Sequence, residues 1–175
     1  MSNSVLYLAR HATPDWFVKN IPYDTPPGPP LVPQGEQEAA QLAAWLANRG
    51  IHRLEASPML RARQTADIVG QHLQLPVVMA ADVTEWRRGE PTADLQARMQ
   101  RYYAIWRAAD WGPTVVITHG GPIDYFLKSL GVPETVLAPL RPQFDHGNPV
   151  PCAGVWQVSP AGCDLVFVPT VPVSV

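Results

Sequence analysis

The sequence has no apolar run that approaches the length of a transmembrane helix. Its first residues contain neither a Lys/Arg-rich start nor the apolar stretch of a signal peptide. We therefore expect a cytoplasmic protein that does not enter a membrane. Strong charge is also missing, because the formal net charge is -2 and charged residues make up 16% of the chain. Nucleic acid is therefore not an expected partner, and any anion site must be a local cluster of cations.

Cysteine is scarce as well, with Cys152 and Cys163 as the two examples. They flank a predicted hairpin whose turn lies near the sequence SPAG, and such a turn would pair Cys152 with a residue near Pro169. We therefore expect free thiols and no disulfide. Clustered carboxylates and Cys/His spacings typical of a metal site are also missing, so the sequence predicts chemistry without a metal or cofactor.

Hydrophobic residues, by contrast, make up 46% of the 175 residues, and this length fits a single domain over residues 1–175. The 20 prolines lie mainly between periodic segments, and residues 20–33 read NIPYDTPPGPPLVP. This proline density excludes a helix or a central strand and predicts a stiff, extended loop. Two interpretations of the loop stay open, a simple connector or a wall over a site.

Strand and helix patterns alternate along the chain. Strands are predicted in VLYLA (5–9), HRLEAS (52–57), PVVMA (76–80) and TVVIT (114–118). Helices are predicted over about 34–49, 57–73, 92–109 and 121–130, with Ser57 as the N-cap of the second. The end of the chain reads as an antiparallel hairpin of GVWQVS and DLVFVP. We predict an α/β fold, a three-layer α/β/α arrangement with a mostly parallel central sheet and a C-terminal antiparallel hairpin.

Two of the predicted strands run directly into a histidine. VLYLA is followed by Arg10 and His11, and TVVIT is followed by His119. In a parallel sheet both histidines would lie at the carboxyl ends of the strands, which is the edge where open α/β sheets bind ligands. Two histidines at such positions arise by chance much less often than one.

Four short segments therefore stand out, ARHATP, SPMLRARQTA, TEWRRGE and ITHGGP. Their order resembles the histidine phosphatase superfamily, the fold shared by phosphoglycerate mutases and many small phosphatases. The resemblance spans residues 6 to about 130 and favours the small phosphatase branch. Phosphoglycerate mutases carry long insertions that this chain lacks, since only WRRGEPT lies between Glu85 and the next predicted helix. The absence of these insertions favours a phosphatase with an open pocket over a mutase.

The resemblance implies a role for each matching residue. His11 would be the nucleophile, and His119 would stabilise the charge on the transferring oxygens. Arg10 and Arg61 offer planar forks that bind phosphate oxygens and keep their charge. The backbone amide of Gly120, at the start of a helix, would add a further donor.

Glu85 is the candidate general acid and base, with Glu90 and Asp82 as rivals. Burial near the pocket would have to raise the pKa of Glu85, although neighbouring arginines would oppose that. The family usually has a glycine, a threonine and an asparagine after the first histidine, where this chain has Ala12, Pro14 and Phe17. Thr13, one place early, is the candidate substitute for the threonine, and no residue replaces the asparagine.

The predicted function is hydrolysis of a phosphomonoester through a phosphohistidine on His11. Mutase-type phosphoryl transfer and a non-catalytic phosphate-binding module of the same fold stay open as alternatives. The expected substrate is a small phosphorylated molecule or a phosphorylated protein side chain, and the oligomeric state stays undetermined. FDHGN around His146 is predicted to be a surface loop. Six residues are candidates for shaping the pocket: Trp16, Phe17, Trp86, Arg87, Arg88 and Tyr125.

Overall fold

A computed structural model describes residues 5–170 of the chain. The strands are β1 (Leu6–Arg10), β2 (Arg53–Ala56), β3 (Val77–Met79), β4 (Thr114–Thr118), β5 (Val155–Ser159) and β6 (Gly162–Phe167). The helices are α1 (Pro33–Leu46), α2 (Leu60–Leu73), α3 (Thr92–Ala109), α4 (Gly120–Ser129) and the short α5 (Glu134–Leu137). Short 3-10 turns lie at Ala81–Val83, Arg141–Gln143 and Asp145–Gly147.

The six strands form one mixed sheet in the order β3-β2-β4-β1-β5-β6. The first four are parallel, β5 runs antiparallel to β1, and β6 completes a hairpin with β5. The predicted mostly parallel sheet with a C-terminal antiparallel hairpin is confirmed. Both cysteines are free, as predicted.

Helices cover both faces of this sheet. Because side chains alternate along a strand, Leu6 and Leu8 of β1 pack with α3 and α4, while Tyr7 and Ala9 pack with α1 and α2. Every residue of β1 and β4 is buried, which explains why both strands are largely apolar. The three-layer arrangement is therefore confirmed. Within residues 5–170, no helix combines the length and hydropathy needed to span a membrane.

The start of α2 differs from the prediction. The helix begins at Leu60, so Ser57 is not its N-cap. Met59 still has extended backbone, with φ -65° and ψ 138°. Although β2 ends at Ala56, the Ser57 N–H still donates to the Ile117 carbonyl of β4. The Ser57 hydroxyl accepts a hydrogen bond from the Met59 N–H and bonds to His119. The residue expected to cap the helix therefore contacts the candidate site.

The proline-rich loop is packed against the start of α2. The Leu60 N–H donates to the Pro27 carbonyl over 2.7 Å. At Gly28, which has a φ of +70°, a Cβ would lie 2.7 Å from Arg61 Nη1, so only glycine fits this close approach. Of the two interpretations of the loop, the structure favours the wall over a site.

Candidate active site

Strands β1 and β4 bring the two histidines together. The strands pair in parallel with Arg10 opposite Thr118, and the His11 N–H donates to the Thr118 carbonyl over 2.9 Å. The centroids of the His11 and His119 rings lie 5.1 Å apart, and both side chains are buried. The two strands therefore end at the same edge of the sheet and bring both histidines together there, as predicted.

His11 is held in one orientation by its neighbours. Its Nδ1 lies 2.8 Å from the Ala12 carbonyl oxygen and must carry the hydrogen that this acceptor requires. Nε2 consequently has the free lone pair and accepts from Arg61 Nε and the Tyr23 hydroxyl, each at 3.2 Å. Burial lowers the pKa of His11 well below its ordinary value, and the charges of Arg61, His119 and Arg10 lower it further. The ring is therefore neutral, and Nε2 is the nitrogen with the available lone pair.

His119 lies between a hydroxyl and a carboxylate. Its Nε2 is hydrogen-bonded to the Ser57 hydroxyl at 2.7 Å, and its Nδ1 lies 3.3 Å from Glu85 Oε2. Burial lowers the pKa of His119, while the Glu85 carboxylate opposes that shift. His119 can therefore take up a proton or donate a hydrogen bond when another anion enters the site.

Arg61 connects three parts of the site from the first turn of α2. Its Nε donates to His11, its Nη1 to the Tyr23 carbonyl at 2.9 Å, and its Nη2 to Glu85 Oε2 at 2.8 Å. The guanidinium carbon also lies 3.9 Å from the centre of the Tyr23 ring. The side chain is fully buried, so this fork is fixed by partners that a phosphate would have to replace.

Glu85 is ionised, contrary to the expectation that its pKa must be raised. Burial alone would raise the pKa of this carboxyl, but His119, Arg61 and the Trp86 N–H outweigh burial and lower the pKa to about 2. Cationic groups and hydrogen-bond donors at the carboxylate favour its charged form.

The two rival carboxylates lie elsewhere. Glu90 is paired with Arg98, at 2.7 Å, and Asp82 with Arg101, at 3.0 Å. Neither lines the cavity beside the two histidines, whereas Glu85 does.

Arg10 reaches a partner that the sequence analysis missed. Its two terminal nitrogens donate to the Asp145 carboxylate over 2.7 and 2.6 Å, and one also donates to the Val150 carbonyl. Asp145 belongs to the segment FDHGN, which is a largely exposed loop with one short turn, as predicted, but which also contacts the buried Arg10. No periodicity marks Asp145, which is 135 residues from Arg10.

Thr13 and Gly120 have different positions relative to the cavity. The N–H and hydroxyl of Thr13 both donate to the Glu38 carboxylate, and Thr13 lines a second cavity. The structure thus leaves Thr13 no free donor at the histidines, because Glu38 holds both. Gly120 lines the main cavity, and a Cβ there would collide with the Asn148 side chain.

A cavity of about 960 Å³ opens above this cluster. Tyr23 forms part of its floor and covers His11, which has no exposed surface. Of the predicted pocket residues, Trp16, Phe17, Trp86 and Tyr125 line the cavity, whereas Arg87 and Arg88 do not. Four further lining residues come from the FDHGN segment, namely Asp145, His146, Gly147 and Asn148.

His11, Glu85 and His119 also form a group that could offer ligand atoms to a metal ion, since one atom from each lies within 4.8 Å of the others. However, Arg61 donates hydrogen bonds to both His11 and Glu85. A fixed cation thus already occupies the electrostatic position that a metal would take.

The chain is similar to known proteins in both sequence and fold. The model of the histidine phosphatase superfamily (branch 1) matches residues 6–91. A Bacillus subtilis (strain 168) protein described as uncharacterized phosphatase PhoE is 29% identical over 96 residues. That match covers 54% of this chain and 49% of the relative, so the chain spans about half the length of that protein.

Solved structures share the fold over almost the whole chain. Mycobacterial hydrolase 1 superposes with a TM-score of 0.75 at 19% identity, covering 97% of this chain and 100% of that one. A mycobacterial glucosyl-3-phosphoglycerate phosphatase in complex with VO3 gives 0.72 at 21% identity, covering 89% and 91%. Residues 6–91 therefore match the histidine phosphatase superfamily (branch 1), and the sequence motifs and the fold agree with that match.

Proposed function

We propose that this protein is a phosphatase that hydrolyses a phosphomonoester through a phosphohistidine at His11. The observation that carries this proposal is the orientation of His11, whose Nδ1 faces the Ala12 carbonyl and whose Nε2 faces Arg61. A neutral imidazole with a lone pair directed at an arginine fork is arranged for attack on a bound phosphoryl group. The description of the Bacillus subtilis relative as a phosphatase supports the same reaction.

Binding of the substrate exchanges internal partners for phosphoryl oxygens. The phosphoryl group takes donors on Arg61 and Arg10 that now face Glu85 and Asp145, and His119 and the Gly120 N–H face its remaining oxygens. These donors neutralise the charge on the equatorial oxygens in the transition state. The Tyr23 hydroxyl leaves Nε2 at the same time, because phosphorus must approach that atom.

The reaction then has two balanced steps. In the first, the Nε2 lone pair forms a bond to phosphorus, the bond from phosphorus to the ester oxygen breaks, and Glu85 gives its proton to the leaving alkoxide. In the second, Glu85 takes a proton from water, the water oxygen bonds to phosphorus, and the bond to Nε2 breaks. Inorganic phosphate leaves, and His11 returns to its neutral form.

Glu85 becomes an acid only when substrate is bound. Its pKa of about 2 results from His119, Arg61 and the Trp86 N–H, which together outweigh burial. A phosphoryl group that engages Arg61 and His119 removes part of that stabilisation and adds negative charge, so the pKa of Glu85 rises. The second pKa of a phosphate group is about 6, so a substrate monoanion also brings the proton that Glu85 needs.

The proposed chemistry does not use a metal ion. Arg61 already donates to two of the three side chains that could ligate one. The positive charge that a metal would supply to the phosphoryl oxygens comes from two guanidinium groups that stay charged at any working pH.

The test compares His11→Ala with His72→Ala, a control at an exposed histidine near the end of α2. Both variants and the wild type are assayed for p-nitrophenyl phosphate hydrolysis in excess EDTA, and for acid-labile ³²P on the protein after rapid quenching. We expect activity and label in wild type and His72→Ala, and at least a ~1,000-fold loss with no label in His11→Ala. Unchanged turnover in His11→Ala would contradict the covalent route. Phosphate or vanadate binding without any turnover in the wild type would instead identify a binding module.

A further inference from the structure

The cavity above the histidines is walled mainly by aromatic rings. Trp16 is stacked on Tyr23, with ring centroids 5.2 Å apart and an interplanar angle of 20°, and lies 4.5 Å from the His146 ring. A second pair is formed by Trp86 and Tyr125, at 5.1 Å. Rings from separate parts of the chain therefore converge above the reacting atoms, and such walls bind planar apolar groups by dispersion and burial.

Two of these rings face solvent in the free protein. Phe17 is 89% exposed and Trp86 is 37% exposed, and both line the cavity. A ligand that covers exposed aromatic side chains in a concave site binds favourably, because it removes apolar surface from water. A flat apolar ligand above the histidines would supply that cover.

The charges of the cavity exclude a second anionic group. Arg10 is the one lysine or arginine among the described lining residues, and the phosphoryl group takes it. The lining also carries four carboxylates, on Asp24, Glu85, Asp124 and Asp145.

Three cations near the lining already have carboxylate partners. Arg141 and Lys128 are both paired with Asp124, at 2.8 and 3.2 Å. Arg88 lies 3.9 Å from Asp24, with its side chain 93% exposed to solvent. A carboxylate or second phosphate on the leaving group would thus meet carboxylates and no free cation of the lining.

Building on the phosphatase reaction above, we propose that the substrate's leaving group is a flat aromatic group without an anionic substituent. The phosphoryl group sits at His11 on the cavity floor, and the ring of the leaving group lies between the Trp16 and Trp86 walls. A phosphate ester of a small aromatic molecule and a phosphotyrosine side chain share this chemistry.

The test uses esters with similar primary alkoxides, so that leaving-group basicity stays matched. We expect kcat/KM to fall at least tenfold from 2-naphthylmethyl phosphate to n-butyl phosphate, and further for 3-phosphoglycerate, which carries a carboxylate. Phe17→Ala and Trp86→Leu should each lower kcat/KM for the naphthylmethyl ester by about fivefold or more and lower it much less for the butyl ester, so that the ratio between the two esters falls. Trp111→Leu, a tryptophan that packs on Arg53 outside the lining, serves as the control.

The outcomes separate this inference from the phosphatase reaction. Equal kcat/KM for the naphthylmethyl and butyl esters, together with labelling of His11, would overturn the aromatic preference and leave the phosphatase intact. Failure to hydrolyse any ester or to label His11 would overturn the reaction itself. A phosphotyrosine peptide compared with N-acetyl phosphotyrosine amide identifies the source of the aromatic phosphate: a large preference for the peptide indicates a protein side chain, and equal rates indicate a small molecule.

Discussion

Tyr23 is the side chain that separates His11 from the cavity. Its hydroxyl donates to Nε2, its ring covers the Arg61 guanidinium, and its carbonyl accepts from the same arginine. His11 consequently has no exposed surface. The proposed nucleophile, Nε2 of His11, is therefore covered in the free protein, and the energy of this hydrogen bond opposes the approach of a ligand to that atom.

We expect Tyr23→Phe to raise kcat/KM for a small phosphomonoester by about fivefold. The substitution keeps the ring above Arg61 but removes one hydrogen bond on Nε2, and such a bond contributes about 1 kcal/mol. Steady-state kinetics against Tyr125→Phe, a second tyrosine of the lining, checks the effect. A lower kcat with an unchanged KM would show instead that the hydroxyl takes part in the chemical step.

The sequence predicts some site residues and misses others for a physical reason. His11 and His119 follow buried strands, and Arg61 lies in the first turn of a helix, so regular structure fixes where each one lies. Tyr23 and Asp145 lie in irregular segments, where neither spacing nor periodicity indicates which distant residue they contact. The low pKa of Glu85 likewise depends on contacts across the chain rather than on its neighbours in sequence.

At the scale of elements, hydrophobic periodicity predicts every strand of the sheet and the four long helices. Strand β3 is the least regular, since Val78 and Met79 are exposed at the sheet edge. The predicted start of α2 is wrong because the Ser57 N–H donates to the Ile117 carbonyl of β4 and the Ser57 hydroxyl bonds to His119, so Ser57 does not cap the helix. Local capping rules do not include such a tertiary partner.

The segment with turns at Arg141–Gln143 and Asp145–Gly147 closes one side of the site through Asp145. In Asp145→Asn the buried Arg10 loses its carboxylate, so we expect the free energy of unfolding to fall by about 2 kcal/mol. Inorganic phosphate should then stabilise the variant more than the wild type, since phosphate no longer competes with a carboxylate for Arg10. Thermal unfolding with and without phosphate measures both effects.

Asp164→Asn provides the matched control, because this aspartate lies in β6, away from the cavity lining. It should unfold at nearly the wild-type temperature and show the wild-type shift with phosphate. Equal phosphate shifts in Asp145→Asn and the wild type would mean that Arg10 does not bind phosphate through the donors that Asp145 holds.

At the scale of the molecule, the sheet has its polar cluster at one edge and two apolar cores on its faces. His11 and His119 are fully buried where β1 and β4 end, beside Arg10 and Arg61. Burial lowers the pKa of both histidines, and the neighbouring arginines lower it further. The fold therefore holds His11 neutral at a pH where the unfolded chain would protonate it.

This difference predicts that the protein loses stability as the pH falls from 7.5 to 5.5. The histidines of the unfolded chain take up protons below about pH 6.5, whereas buried His11 does not, so protons favour unfolding. His11 alone should account for roughly 1 kcal/mol over this interval, and Glu85 adds nothing there because it titrates only below about pH 4.5. Urea denaturation at the two pH values should show a smaller loss in His11→Asn than in the wild type, and an unchanged loss in His72→Asn. An equal loss in His11→Asn and the wild type would mean that His11 is protonated in the folded protein, which would remove the lone pair that the proposed reaction requires.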